Sequence, residues 1–262
     1  MMYPELILII LFIVLPNILS TNTFEDIYSL ETCNIPEEFS LITQDEFNKR
    51  YNSNEKLSRP VVFRQVPINK QFLQLIQIDS ILNRYGNKYI TVTTANTHSY
   101  KKQSIKLNDY IQLQQNPSST INKWGNETLY WFGDDLLNER NWLNQILRYY
   151  KSPSYVVNDF IQPSVTFGMG GQGTGVPFHF HGPGFQQMIL GRKRWYLSMK
   201  KPSFDPNETT IHWTIERRWK DKQPFLYECT LNPGDMIFFP NLWWHATLNL
   251  DFAIFLSTFL SL

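Results

Sequence analysis

The sequence predicts a mainly β protein with wrapping helices, an α+β arrangement whose second half forms a sandwich or jelly-roll barrel. From Pro163 onward, short apolar runs alternate with Gly and Pro turns, at 164–169, 177–181, 186–198, 227–231, 236–239, 245–250 and 253–259. Many short strands at this spacing are typical of a jelly roll or sandwich. A hydrophobic content of 42% and an aromatic content of 15% over 262 residues are enough to fill such a core.

The first half of the chain alternates predicted helices with predicted strands. Thr43 and Glu46 form a capping-box pattern, which predicts a short helix with Phe47 and Tyr51 on its apolar face. The other predicted elements are a strand at 59–63, a helix at 79–85 that ends at Gly86, a strand at 89–93 and a helix at 141–150. We expect the helices to wrap the strands of the second half.

An unbroken apolar run covers residues 6–15. It has the length of a signal-peptide core and is too short to span a bilayer comfortably, so we expect residues 1–20 to be a signal peptide cleaved after Ser20. The segment before the run carries Glu5 and no Lys or Arg, which leaves an uncleaved membrane anchor as the alternative. The leader predicts a protein of the secretory pathway, in contact with a membrane only if the leader is retained.

The two cysteines and two glycosylation sequons also bear on whether the protein enters the secretory pathway. An even number of cysteines in an oxidising lumen favours a disulfide, here between Cys33 and Cys229, which would tie the N-terminal segment 21–35 to the body. The alternative is two unrelated buried thiols. Asn126 and Asn207 each begin an Asn-Glu-Thr sequon, which is a weak signal alone but together with the leader indicates a glycoprotein.

Charge gives no sign of a nucleic-acid partner. The net charge is +1, charged residues make up 18% of the chain, and Lys and Arg are scattered. Nucleic-acid-binding proteins concentrate positive charge, so we expect no such partner.

Three of the five histidines form the layout of a metal site. Residues i and i+2 of a strand share a face, so His179 and His181 are predicted to point the same way. His245, on a neighbouring strand, can close one face of an ion. Three protein ligands with open positions opposite are typical of a non-haem iron or a catalytic zinc site. His98 and His212 are not part of such a pattern and are interpreted as structural.

Several motifs resemble the JmjC-domain proteins in order and spacing, over roughly residues 36–262. They are Gly170–Thr174, Pro177–His181, Gly191–Trp195, Pro233–Asp235 and Trp243–Leu250. The resemblance implies a double-stranded β-helix, a jelly-roll and cupin-like fold, with a wrapping part at 36–162 and the β-helix core at 163–262. It also implies residence in the endoplasmic reticulum lumen.

The resemblance further implies an oxygenase that depends on Fe(II) and 2-oxoglutarate and acts on protein side chains. His179, His181 and His245 match the three metal positions. Lys193 and Tyr130 match the residues that hold the distal carboxylate of 2-oxoglutarate, by charge and by hydroxyl. The alternatives are a solvated charge in a basic turn for Lys193 and an ordinary core aromatic for Tyr130.

The chain departs from the family pattern in two places. His181 stands where relatives have a carboxylate, so the site would bind metal through three neutral ligands. Val176 stands where relatives often place a Ser or Thr hydroxyl for the cosubstrate. These departures favour a second hypothesis, a catalytically inactive module that binds protein partners in the lumen. A cupin-like zinc enzyme is a third, but it does not explain Lys193 and Tyr130.

Overall fold

A computed structural model describes residues 27, 31–53, 58–94, 102–115, 129–133, 140–153, 155, 164–216 and 226–260. The predicted leader, His98 and the sequon at Asn126 lie outside these ranges. Across the described ranges, no helix combines the length and the apolar character needed to cross a membrane.

Thirteen strands are found in the described residues. Those of the first half are β1 (Glu37–Glu38), β2 (Val61–Phe63), β3 (Tyr89–Thr94), β4 (Lys102–Lys106) and β5 (Leu129–Phe132). Those of the second half are β6 (Ser164–Gly170), β7 (Gly175–His179), β8 (Gly184–Leu190), β9 (Lys193–Ser198), β10 (Tyr227–Leu231), β11 (Met236–Phe239), β12 (Trp244–Asn249) and β13 (Ala253–Phe259).

Six helices are found in the same residues. They are α1 (Gln44–Tyr51), α2 (Lys70–Ile76), α3 (Ile78–Tyr85), α4 (Leu107–Gln115), α5 (Arg140–Leu147) and α6 (Thr210–Glu216). The predicted capping box of α1 is confirmed, because Thr43 accepts from the backbone N–H of Glu46 and the Glu46 side chain accepts from that of Thr43.

The strands form two sheets. The larger has the order β1-β2-β11-β8-β13-β6-β5-β3-β4 and the smaller the order β10-β9-β12-β7. Strands β6, β8, β11 and β13 lie together in one sheet, and β7, β9, β10 and β12 form the other. The chain therefore crosses repeatedly between two antiparallel sheets, which confirms the predicted jelly roll.

The first half does more than wrap the core with helices. Strands β1–β5 extend both edges of the larger sheet, where β2 pairs with β11 and β5 pairs with β6. The first half thus contributes strands to the larger sheet as well as the helices that wrap it. Unpaired sheet edges expose backbone donors and acceptors, and the added strands satisfy them.

Strand alternation divides the side chains between two cores. Tyr130 of β5 and Trp195 of β9 face the space between the sheets, where Phe239 and Phe255 join them. Trp131, beside Tyr130, faces the opposite way and packs with Trp142 and other residues of the helical layer. The interior of the jelly roll is thus distinct from the core under the helices.

A disulfide joins Cys33 to Cys229 on β10. Its neighbours reinforce the attachment, since Asn34 donates to the Leu226 carbonyl at 3.1 Å and Arg194 donates to the Thr32 hydroxyl at 2.9 Å. The segment that precedes the domain is thereby held against the smaller sheet.

Candidate metal centre

Two antiparallel strands bring two of the histidines together. His179 is the last residue of β7 and His245 lies in β12, where the two are direct cross-strand partners. Their ring centroids are 4.2 Å apart. With His181 they form a group whose ligand atoms all lie within 4.8 Å of one another.

His181 lies beyond the end of β7, whereas the sequence predicts it on the same strand as His179. Strand β7 ends at His179, so His181 does not share a strand face with it. Gly182 and Pro183 follow His181 in the turn that leads to β8. The backbone N–H of Leu242 donates to the His181 carbonyl at 3.0 Å and fixes its position.

The tautomer of each ring follows from its hydrogen bond. Nδ1 lies 2.8 Å from a backbone carbonyl oxygen in all three, that of Pro177 for His179, Gly182 for His181 and Trp243 for His245. A carbonyl only accepts, so Nδ1 is the donor and the neutral ring has its lone pair on Nε2. This is how metal-bound histidines are usually oriented.

The Nε2 atoms of His181 and His245 lie 3.1 Å apart. Two lone pairs at this distance repel one another unless a cation lies between them. Imidazole nitrogens at about 2.1 Å from one metal ion are separated by about 3.0–3.4 Å for ordinary coordination angles. The observed spacing therefore fits a shared ion.

Burial favours the neutral form of His181 and His245. It lowers the pKa of His245 well below its ordinary value, and the neighbouring His179 and His181 lower it further. Burial also lowers the pKa of His181, against the opposing effect of its hydrogen bond to Gly182. Metal binding requires neutral imidazole, so these shifts favour it.

A cavity of about 40 Å³ adjoins the histidines. Its lining includes Trp195, Phe239 and Phe259 together with Tyr130, Val176, Gln186, Thr247 and Ser257. Ligand pockets are typically about 300–1,000 Å³, so this space is small for a cosubstrate.

Lys193 is fully buried at the start of β9. Its Nζ donates to the Tyr130 hydroxyl at 3.3 Å and lies 3.1 Å from the centroid of the Phe255 ring. Burial lowers the pKa of Lys193 well below its ordinary value and raises the pKa of Tyr130 well above its own. Lys193 is therefore not a solvated charge, and the structure brings the two predicted carboxylate-binding residues together.

The residues on either side of Lys193 in the sequence both form ion pairs with carboxylates. Arg192 pairs with Asp251 at 2.8 Å, and Arg194 pairs with Glu228 at 3.2 Å. In the described part of the chain, no carboxylate forms an ion pair with Lys193. A buried ammonium without an anion is costly, and a cation–π contact offsets only part of that cost. The site is therefore suited to an incoming carboxylate.

Two polar residues of the cavity were missed from the sequence. The Trp195 indole N–H donates to Gln186 Oε1 at 3.2 Å, and Gln186 Nε2 donates to Ser257 Oγ at 3.0 Å. The Ser257 oxygen thus acts as an acceptor, which leaves its own proton to donate. A polar residue on the inward face of an apolar strand is the signal that identifies such positions once the register is known.

The predicted modification site at Asn207 is exposed and precedes α6. The Thr209 hydroxyl of the same sequon accepts from the backbone N–H of His212 at 3.1 Å. His212 itself pairs with Glu208 at 2.5 Å.

Comparisons with known proteins agree with this architecture. The profile of the JmjC domain matches residues 156–261. JmjC domain-containing protein 8 of Homo sapiens is 38% identical over 88% of this chain and 84% of its own length. The chain belongs to the JmjC-domain family. The Mus musculus protein of the same name is 37% identical over 88% of this chain and 83% of its own length.

A more distant JmjC relative is lysine-specific demethylase JMJ21 of Arabidopsis thaliana. It is 26% identical over 88% of this chain, which spans 26% of that protein. JmjC domains usually bind Fe(II) and 2-oxoglutarate, and the three-histidine group lies within the residues that the JmjC profile matches.

Proposed function

We propose that this JmjC-domain protein binds Fe(II) and 2-oxoglutarate and oxidises side chains of a protein substrate as a dioxygenase. The observation that carries the proposal is the convergence of three histidine ligand atoms at a cavity lined by Tyr130, whose hydroxyl accepts a hydrogen bond from the buried Lys193. The three histidine nitrogens suit a divalent metal, and the Lys193–Tyr130 pair suits a dicarboxylate.

Each residue has a defined part in this proposal. His179, His181 and His245 would hold Fe(II), while Lys193 and Tyr130 would hold the distal carboxylate of 2-oxoglutarate. Together the metal and cosubstrate would supply the oxidising chemistry. Trp195, Phe239 and Phe259 would exclude water from it. Three neutral ligands leave one more positive charge on the centre than a set with one carboxylate does, which favours an anionic co-ligand.

The second hypothesis, a catalytically inactive module that binds protein partners, has its own support. The cavity of about 40 Å³ must enlarge before a cosubstrate enters. His181 also replaces the usual carboxylate ligand. A zinc-dependent enzyme fits a three-histidine site as well, yet leaves the buried Lys193–Tyr130 pair unexplained.

The deciding experiment measures metal content and 2-oxoglutarate binding on protein purified without a histidine tag. Elemental analysis is expected to give stoichiometric iron, and calorimetry is expected to show binding that Lys193→Ala abolishes. Arg192→Ala is the matched control, because Arg192 is a neighbouring cation that already pairs with Asp251. A protein that contains no metal and does not bind 2-oxoglutarate would support the second hypothesis, the protein-binding module.

Turnover separates an active enzyme from a metal-binding module. Consumption of 2-oxoglutarate with Fe²⁺ and ascorbate is compared between the unaltered protein and His181→Asp. Turnover by the unaltered protein supports the oxygenase. Turnover by the variant alone supports the inactive module.

We also propose that the protein resides in the endoplasmic reticulum lumen, where its protein substrate or partner would be found. The Cys33–Cys229 disulfide and the exposed Asn207 support this. A glycosidase-sensitive mass shift that decreases in Asn207→Gln would agree with it. Recovery of the protein chiefly from nuclei, without any glycan, would contradict it.

A further inference from the structure

Val176 leaves a gap in the expected set of cosubstrate contacts. JmjC relatives often carry a Ser or Thr hydroxyl at this position, three residues before the first metal ligand. Here the side chain is apolar, and it lines the cavity beside the histidines. A carboxylate bound in that cavity would lack one hydrogen-bond donor at this point.

A hydroxyl from the adjacent strand lies beside the gap. Thr247 is the cross-strand partner of Val176 in the ladder between β7 and β12. The backbone N–H of Val176 donates to the Thr247 hydroxyl oxygen at 3.3 Å. Thr247 is 4% exposed and lines the same cavity as Val176 and Tyr130.

The Thr247 hydroxyl is oriented to donate. Its oxygen already accepts from Val176, and in the described part of the chain no acceptor takes its proton. A hydroxyl in this state complements a carboxylate, which only accepts.

Thr247 also lies between the two halves of the proposed site. His245, Thr247 and Asn249 share one face of β12 because side chains alternate along a strand. His245 belongs to the metal group, while Asn249 is the cross-strand partner of Lys193. Thr247 therefore stands on the path from the metal ligands to the lysine.

We infer that Thr247 supplies the hydroxyl that relatives carry at position 176 and donates a hydrogen bond to the distal carboxylate of 2-oxoglutarate, alongside Lys193 and Tyr130. The inference rests on the proposed function. A hydrogen bond to a charged group changes affinity by about 10- to 100-fold. Thr247 would thus restore the affinity that Val176 removes.

Calorimetric titration of Fe²⁺-loaded protein with 2-oxoglutarate, without oxygen, tests the inference. Thr247→Val keeps the shape and removes the hydroxyl, so the dissociation constant should rise about 10- to 100-fold. Thr247→Ser keeps the hydroxyl and should bind like the unaltered protein. Iron content measured on each variant shows whether the metal ligands are intact.

A rescue variant separates binding from a structural role. Val176→Thr combined with Thr247→Val returns a hydroxyl to the family's position, and binding should recover. The backbone N–H of Val176 stays without its acceptor in both variants, so a merely structural role would not be rescued. Two outcomes would overturn this inference and leave the proposed function standing. In the first, Thr247→Val binds 2-oxoglutarate as tightly as the unaltered protein. In the second, Val176→Thr fails to restore 2-oxoglutarate binding to iron-loaded Thr247→Val. A flat titration of the unaltered iron-loaded protein overturns the proposed function and this inference with it.

Discussion

At the scale of single residues, the three histidines of the candidate metal site are oriented by hydrogen bonds to their own backbone. Each Nδ1 donates to a backbone carbonyl one or two residues away, at 2.8 Å. Many metal-binding histidines instead donate to a carboxylate, which makes the ring more basic. A carbonyl makes the ring less basic than a carboxylate partner would, so a metal bound here would be more electrophilic.

Removal of one ligand should abolish tight metal binding. We expect His245→Ala to lower iron affinity about 100-fold or more, because loss of a ligand costs more than the 10- to 100-fold lost when a residue that orients a ligand is changed. Elemental analysis after dialysis against a weak chelator measures it. His212→Ala is the control, because His212 lies on α6 and pairs with Glu208. Equal iron content in both variants would contradict the assignment of the site.

Lys193 should lower the stability of the ligand-free fold. Its pKa is depressed by burial, so the unfolded chain binds the proton more tightly than the folded chain. The fold therefore gains stability as pH rises toward the unfolded value of about 10.4. At pH 7 we expect Lys193→Met to be about 1–4 kcal/mol more stable.

Urea unfolding of both proteins between pH 7 and pH 10 measures that difference. The gain from Lys193→Met should shrink as the pH rises, because the unfolded lysine then loses its proton too. A difference that stays constant or grows with pH would show that the lysine is not held in an unfavourable environment.

The sequence indicates the histidines through their spacing and Lys193 and Tyr130 through family register. It does not indicate Gln186, Ser257 or Thr247. Polar residues within apolar strands can face either side of a sheet, and only the strand register decides which ones share a cavity. His181 shows the same limit, since its position depends on the turn at Pro183 and not on strand periodicity.

At the scale of elements, β6 and β13 can pack closely because Gly168 of β6 has no side chain. Gly168 is the cross-strand partner of Phe255. A Cβ at Gly168 would lie 2.1 Å from the Phe255 ring. That ring in turn contacts the Lys193 ammonium. A glycine on one strand thus makes room for the aromatic that supports the buried cation.

Gly168→Ala should force Phe255 out of place and cost about 1–3 kcal/mol of unfolding free energy. Urea denaturation measures this. Phe255→Leu combined with Gly168→Ala relieves the overlap, so the pair should be less destabilised than the sum of the two single changes. Additive effects would show that the two residues do not compete for space.

The capping box of α1 gives a more local prediction. Thr43→Ala removes the acceptor for the N–H of Glu46 and should cost about 1 kcal/mol. Thr43→Ser keeps that acceptor and should be close to neutral. Both are measured by urea unfolding, and equal effects of the two changes would exclude capping as the cause.

Element prediction succeeds where local chemistry is sufficient. The strands at 236–239 and 253–259 are confirmed at both ends, because a turn bounds each apolar run. The run at 186–198 is instead two strands, separated at Gly191, whose φ is +69°. Helix α2 was missed because it has only 7 residues, too few to show a helical period, and its cap, Asn69, gives little signal alone.

At the scale of the whole molecule, strands from the two ends of the described chain lie side by side. β2 pairs with β1 and with β11, so the larger sheet includes early strands beside late ones. The apolar pattern does not predict this, because it identifies strands but not their neighbours. The family resemblance supplies the order of the jelly-roll core, and the placement of β1–β5 comes from the structure.

The disulfide should stabilise the assembled molecule. It closes a separation of 196 residues, and long loops gain the most from a cross-link in the chain-entropy picture. We expect the double change Cys33→Ser and Cys229→Ser to cost about 2–5 kcal/mol. Thermal unfolding with and without a reductant measures it. A reductant should lower the melting temperature of the unaltered protein and leave that of the variant unchanged.

The same bond sets an order of events during synthesis. Cys229 leaves the ribosome 196 residues after Cys33, which takes about 10–40 s at ordinary elongation rates. Throughout that interval Cys33 is a thiol without its partner, and β2 lacks β11, one of the two strands with which it pairs. The nascent chain must therefore be kept from wrong disulfides and from edge-to-edge association until nearly all of it has emerged. Its safe folding depends on timing as much as on the finished structure.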